Sequence, residues 1–395
     1  TVTVSAAVTT TPLTITANDD AKFVTGSDAD GFNGASYAGF VKSETVDDLT
    51  GTLAINRSNS GIVTAGSYSD VLVPSGLSSS NYDITFESGD YTIVPADQLL
   101  VRMNNISNAY ATDTNYGIKS VEYYNGTNVV SLSDGSVGGS SVSIDSSNVV
   151  SINDGSSGTA SFAVAPVNPS FSAAGDLIVG SYNLGVSGVV TENSGNFSDT
   201  VTLVGAHQVN QKALTVTASG VSKTYDGTTS MDGVSIALTG VETNDTVSVS
   251  GIGAFNSSTA SNSAAYTLSN LAISGADSSN YYLSSGRTQS GTGAINKYNL
   301  TLSFAGVDKV YDGAVTASVS ITDDRISGDA ITLTPTAAFA NKNVGSGKAI
   351  SISDVQGSGD DWSNYVLTTT TGSASASITQ LASVTWTGGG DGSNW

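Results

Sequence analysis

No cysteine occurs in the 395 residues, so the chain has no disulfide framework, no thiolate nucleophile and no thiolate metal site. Such a chain suits export across a membrane in an unfolded state, because no bond closes early, although a cytosolic protein can lack cysteine too. Basic residues are scarce: 13 Lys and Arg stand against 34 Asp and Glu, a net charge of −21. That balance repels nucleic-acid phosphates and anionic headgroups, so neither nucleic acid nor a membrane surface is an expected partner. No apolar run reaches the length of about 18 residues that a spanning helix needs, and direct membrane insertion is not expected. A charged-then-apolar leader is also missing at Thr1, and the chain reads as a stretch of something longer. Histidine occurs once, as His207, at a repeat boundary far from any nucleophile, where a solvated linker residue is expected rather than a catalytic base. Glu44, Glu87, Glu122, Glu192 and Glu242 share no motif that would pair two carboxylates, and no enzyme is expected.

What is present is small and polar, with 44 glycines, 38% hydrophobic and 12% charged residues. Val, Ile, Leu and Tyr recur at even intervals, which marks ordered β structure rather than a disordered chain. "LTVTASGVSKTYDG" begins at Leu214 and "LTLSFAGVDKVYDG" at Leu300, each an alternating strand followed by an Asp-Gly turn. Weaker copies are "LTITANDDAKF" at 13–23 and "LLVRMNNISNAY" at 99–110. Toward the other end of each unit stand "SNYDI" (80–84), "GNFSD" (195–199), "SNYYL" (279–283) and "SNYVL" (363–367).

These registers predict four domains, at 1–95, 96–211, 212–296 and 297–380, with an insertion near 132–158 in the second. The tail 381–395 is expected to open a further β element. The fold expected is all-β: small sandwich-like (immunoglobulin-like) or β-grasp-like domains in an elongated tandem array. One helical turn is expected in "VKSETVDDLTG" (41–51).

Within Lys223, Tyr225, Asp226, Gly227 and Lys309, Tyr311, Asp312, Gly313, joined to Asn280, Tyr281 and Asn364, Tyr365, the chain resembles the YDG repeat of large bacterial surface adhesins. The first unit looks like the MBG module that accompanies such repeats, though Val24 and Thr25 stand where Tyr and Asp would. The second unit resembles it more weakly. The resemblance implies a filamentous-haemagglutinin-like exoprotein of the two-partner-secretion type, located outside the bacterial cell, with a stalk or adhesive role in attachment or biofilm. "VTWTGGGDGSNW" (384–395) is similar to the openings of β-helical passenger stretches.

Several residues are candidates for more specific chemistry. Asp28, Asp30 and Asn33 in "GSDADGFNG" have the alternation of a calcium loop but lack its closing glutamate, so a structural turn is favoured over calcium and no cofactor is expected. Tyr123, Tyr124 and Trp362 are unrepeated aromatics and the candidates for recognising a polysaccharide or a host or neighbouring-cell ligand. The repeated Tyr225, Tyr281, Tyr311 and Tyr365 are expected to fill small cores with their hydroxyls at the rim. The pairs Lys22/Asn81, Lys223/Asn280 and Lys309/Asn364 are of the kind that condense into an isopeptide bond in some cell-surface domains, but the simpler reading, Asn bonding its own turn and Lys guarding an edge, is favoured. A monomer is expected.

Overall fold

The computed structural model describes residues 10–41 and 44–383. It is almost all β, with small β domains in tandem. Each repeat begins with a strand broken in two. In the first, Thr11–Ala17 turns Leu13, Ile15 and Ala17 to the core by simple alternation. Asn18 and Asp19 then interrupt it before Asp20–Phe23.

The break sends the two pieces into different sheets. Thr11–Ala17 runs parallel to Tyr82–Glu87, with Ala35–Ala38 on its other side. Asp20–Phe23 runs parallel to Gly89–Val94, which continues to Gly66–Ser78 and Thr50–Arg57. A repeat thus has a head half, made by its opening and penultimate strands, and a tail half, made by its second and closing strands.

The other repeats follow the same plan. The second pairs Leu99–Met103 with Val201–Val204 and Ile106–Ala109 with Ala206–Asn210. The third pairs Lys212–Ser219 with Tyr281–Leu283 and Ser222–Thr224 with Gln289–Asn296. In the fourth, Tyr298–Leu300 meets Tyr365–Leu367 and Lys309–Val310 meets Gly372–Thr379. All of these pairings are parallel, unlike the antiparallel ladders of an immunoglobulin sandwich. A β-grasp would lay a helix on its sheet, whereas "VKSETVDDLTG" supplies only the 3-10 turn Val46–Asp48, closed by a Thr45/Asp48 capping box. Lys42 and Ser43 of that stretch lie outside the described residues, as does "VTWTGGGDGSNW".

The second repeat is longer because Ser140–Ile144 and Val149–Asp154 form a hairpin that joins Thr159–Pro166 and widens the tail sheet to six strands. Packing groups the residues into two compact units, and these do not coincide with the repeats. One holds the first two repeats with residues 212–217, 237–250 and 272–287 of the third; the other holds the remainder of the third repeat and the fourth. The expected boundary at 211/212 is therefore not a packing boundary. Within the first unit, Ala21, Phe23 and Val94 share one apolar cluster with Leu100 and Val204, so two repeats close a single small core.

Candidate functional site: the repeat junctions

The Lys-x-Tyr-Asp-Gly segment is a braced turn. Lys223 Nζ donates to Asp226 Oδ1 (2.7 Å) and to Thr228 O (2.8 Å), while the Thr228 N–H donates to the same carboxylate oxygen (2.9 Å). Lys309 does the same with Asp312 Oδ1 and Ala314 O, both at 2.9 Å. Gly227 and Gly313 each have φ of 78°, a left-handed conformation that glycine adopts without strain. Desolvation pushes the Asp226 carboxyl up, but the bonds from Lys223 and Thr228 prevail and hold it below the ordinary value. In the first repeat, Lys22 reaches forward to Asp28 (2.6 Å) instead.

The tyrosine of this segment, Tyr225, and its counterpart Tyr110 in the second repeat both meet the next repeat. In the first unit, the Tyr110 hydroxyl donates to Asp245 Oδ2 (2.6 Å), and the Tyr281 hydroxyl donates to the same oxygen (2.6 Å). The Glu242 N–H in turn donates to Tyr281 Oη (3.0 Å), and the two rings meet edge-on with centroids 5.2 Å apart. In the second unit, the Tyr225 and Tyr365 hydroxyls both donate to Asp329 Oδ2, at 2.8 and 2.5 Å. The Ile326 N–H donates to Tyr365 Oη (3.0 Å), and the rings again meet edge-on, at 5.6 Å. One carboxylate therefore clasps a tyrosine from each of two successive repeats, and the same clasp occurs twice.

Electrostatics follow the geometry. Burial, then the bond to Asp329, pushes the Tyr225 hydroxyl up to about 12. The same causes, with Asp245 as acceptor, raise Tyr281 and Tyr110 further. Desolvation raises Asp245, but bonds from Tyr110, Tyr281 and the Ala174 N–H outweigh it and leave its carboxyl low. These groups stay in one protonation state at neutral pH, which suits a permanent joint rather than proton transfer.

Asparagine makes a second contact at each joint. The Val179 N–H donates to Asn280 Oδ1 (3.0 Å), and the Ala260 N–H donates to Asn364 Oδ1 (2.9 Å). Both asparagines are buried. The expectation that they bond their own turns is corrected: the preceding repeat supplies the donor. The ammonium groups of Lys22, Lys223 and Lys309 sit in their own turns on aspartates.

The first two repeats join differently. Arg102 Nη1 donates to Asp20 Oδ1 (2.5 Å), Arg102 Nη2 donates to Ala21 O, and Phe23 packs against Tyr124. At the head of the first repeat, the Val41 N–H donates to Tyr82 Oη (3.1 Å), and that hydroxyl donates to Glu44. This is the pattern of Tyr281 and Tyr365, but here Phe40 of the same repeat meets the Tyr82 ring edge-on.

Other candidates fall elsewhere. Asp28 is bonded by Lys22 and Arg57, and Asn33 by Asn18 and Asn105; Asp30 is exposed, and no cluster of three or more His, Asp or Glu suited to a metal occurs among the described residues. Tyr123 is buried against Phe197, which corrects its reading as a recognition residue. Tyr124 packs on Phe23 and donates to Gly126 O, and the Trp362 ring lies against Gly357, where a Cβ would come within 2.3 Å. Tyr311 is exposed rather than core.

His207 is not a solvated linker residue: it is 3% exposed, with Nε2 donating to Asn108 Oδ1 (2.9 Å) and Nδ1 accepting from Tyr116 (3.0 Å). Burial holds its pKa below the ordinary value, so the unfolded chain takes up a proton first as pH falls. Stability contributed by the neutral ring is present above about pH 6.5 and declines below it. The urea midpoint is expected to drop between neutral pH and pH 5, with a smaller drop in His207→Asn; parallel profiles for the two chains would disprove the assignment.

The sequence reading missed Tyr110, Asp245 and Asp329. A signal existed: Tyr110 stands 11 residues after Leu99, as Tyr225 does after Leu214, and Asp245 and Asp329 are spaced 84 residues apart like Asn280 and Asn364.

A family model of the YDG domain matches residues 210–290 and again 296–372. The model of the MBG domain, YGX type, matches residues 13–92. Both are non-catalytic repeat domains that occur in large repeat-rich surface proteins. No curated protein matches the chain.

Proposed function

We propose that the chain is a non-enzymatic, load-bearing segment of a bacterial surface adhesin, carried outside the cell and supporting attachment or biofilm cohesion. The observation that carries this reading is the joint itself: Tyr110/Asp245/Tyr281 and Tyr225/Asp329/Tyr365 repeat one set of contacts at two successive boundaries. A joint that merely connected domains would need no such recurrence. Repetition of stiff modules transmits force and multiplies weak contacts. Export of the filamentous-haemagglutinin kind, by two-partner secretion, belongs to the same proposal.

The test is made on cells. Antibodies against the chain are expected to label intact bacteria that express the whole protein, and removal of residues 10–383 is expected to weaken retention under flow. Labelling only after lysis, or unchanged retention, would refute the reading.

A second reading has one observation in its favour. A cavity of about 790 Å³ in the first unit is lined by Tyr37, Phe40 and Tyr282 with Gln208, Asn210 and Gln211, aromatic faces and amides that suit a sugar. Glycan binding abolished by Tyr282→Ala would make this a carbohydrate-binding array.

A further inference from the structure

The dipeptide Asn-Gly occurs twice, at Asn33-Gly34 and Asn125-Gly126. In this pair the main-chain nitrogen after the asparagine can attack the side-chain amide, because glycine has no Cβ to shield that nitrogen and its backbone turns freely. The two copies stand in opposite surroundings. Asn33 is held at the atoms such an attack needs. Its Nδ2 donates to Asp19 O (3.1 Å), its Oδ1 accepts from Asn105 Nδ2 (3.1 Å), and the Gly34 N–H is occupied by Gly31 O (3.2 Å). Turning this side chain toward the Gly34 nitrogen breaks its bonds to Asp19 and Asn105.

Asn125 is exposed at the tip of the hairpin that joins Ile118–Tyr124 to Val129–Ser131. Among the described residues neither its Nδ2 nor the Gly126 N–H has a hydrogen-bond partner. Its Oδ1, by contrast, accepts the N–H groups of Thr127 (3.0 Å) and Asn128 (2.8 Å). Two main-chain donors on that oxygen stabilise the negative charge that develops there when a nucleophile adds to the amide carbon. The leaving group and the nucleophile are therefore free, and the oxygen between them is already bonded.

We propose that Asn125 is a site of spontaneous, one-way modification that needs only water, and that its product loosens the joint between the first two repeats. The Gly126 nitrogen loses its proton to solvent and bonds to Asn125 Cγ; the Cγ–Nδ2 bond breaks and ammonia leaves, carrying a proton from solvent. Water then adds to either carbonyl of the resulting cyclic imide, and the C–N bond at that carbonyl breaks. Opening at the side-chain carbonyl gives aspartate, and opening at the main-chain carbonyl gives isoaspartate, in which the chain runs through the former side chain. The net change is amide plus water to acid plus ammonia, with one negative charge added and nothing oxidised or reduced. The hairpin is tied to the joint through Tyr124, whose hydroxyl donates to Gly126 O (2.8 Å) while its ring packs on Phe23 with centroids 6.3 Å apart. Isoaspartate lengthens the main chain by one carbon just before Gly126, which displaces the carbonyl that holds Tyr124. This inference is independent of the adhesive role.

The full chain is aged in mildly alkaline buffer, folded and in urea, and conversion is followed by peptide mapping with mass spectrometry and by enzymatic labelling of isoaspartate. In the folded chain Asn125 should convert at least about tenfold faster than Asn33, which must first give up two side-chain hydrogen bonds. In urea the two should convert at similar rates. Equal rates in the folded chain, or a preference for Asn125 that persists in urea, would overturn the assignment. The effect on the joint is read from thermal unfolding of the aged chain beside an Asn125→Gln chain aged in the same way. Isoaspartate at 125 should lower the Tm by roughly 2 to 4 °C, whereas Asn125→Asp, which adds the charge without the extra carbon, should change it by under about 1 °C. No fall in the aged chain, or an equal fall in Asn125→Asp, would sink the link to the joint.

Discussion

Arg102→Ala is expected to destabilise the first compact unit by about 3 kcal/mol. Asp20 is 2% exposed; its Oδ1 takes Arg102 Nη1 and the Ala21 N–H, and its Oδ2 has no hydrogen-bond partner among the described residues. Truncating the arginine leaves a buried carboxylate held by one main-chain donor, and such orphaned charges cost roughly 3 to 5 kcal/mol. The Arg102 side chain is 22% exposed, so water recovers part of this and the lower end applies. Thermal unfolding should show a fall in Tm of roughly 6 to 12 °C. The double variant Asp20→Asn/Arg102→Met should regain most of it, because it removes both charges. A fall under about 2 °C in the single variant would mean that the pair is not the anchor of this joint.

Asp329→Ala removes the acceptor of two hydroxyls at once. Tyr225 is 4% and Tyr365 1% exposed, so neither finds water easily. Each unsatisfied hydroxyl costs about 1 to 3 kcal/mol, and because Asp329 itself is half-buried, a total of roughly 2 to 4 kcal/mol is expected. Asp329→Asn keeps an acceptor oxygen and should lose much less.

The alkaline limb gives a second readout. Tyr225 is raised to about 12 in the folded chain, by burial first and by its bond to Asp329 next, against about 10 when unfolded. Its contribution is therefore fully present below pH 10 and lost as pH rises through about 12. Without Asp329 the folded-state hydroxyl should ionise at lower pH and that loss should be complete sooner above pH 10, as phenolate absorbance would show. An unchanged alkaline transition would place the elevation in burial alone.

Much of the architecture is legible in the chain because it repeats. Leu13, Leu99, Leu214 and Leu300 mark the opening strand, and Lys22, Asn108, Lys223 and Lys309 the second, each by local alternation and fixed spacing. The Asp-Gly turns could likewise be read, since glycine after aspartate answers a local backbone need. The clasp could not. Tyr225 meets Asp329 across 104 residues and Tyr110 meets Asp245 across 135, and no local rule pairs a hydroxyl with a carboxylate at such separations. His207 misled for a related reason: it stands in the sequence between two repeats, whereas its side chain is buried against Tyr116 and Asn108, about 90 to 100 residues away.

By itself, then, the sequence determined the all-β class and the positions of the two braced Asp-Gly turns, because periodicity, spacing and turn chemistry act over a few residues. Only the tertiary structure decided that opening strands run parallel to penultimate ones, that packing units cut across the third repeat, and that the asparagines of "SNY" in the third and fourth repeats accept from the preceding repeat rather than from their own turn. Those outcomes depend on which surfaces meet after the strands have formed, and hydrogen bonds between surfaces distant in sequence leave no local trace.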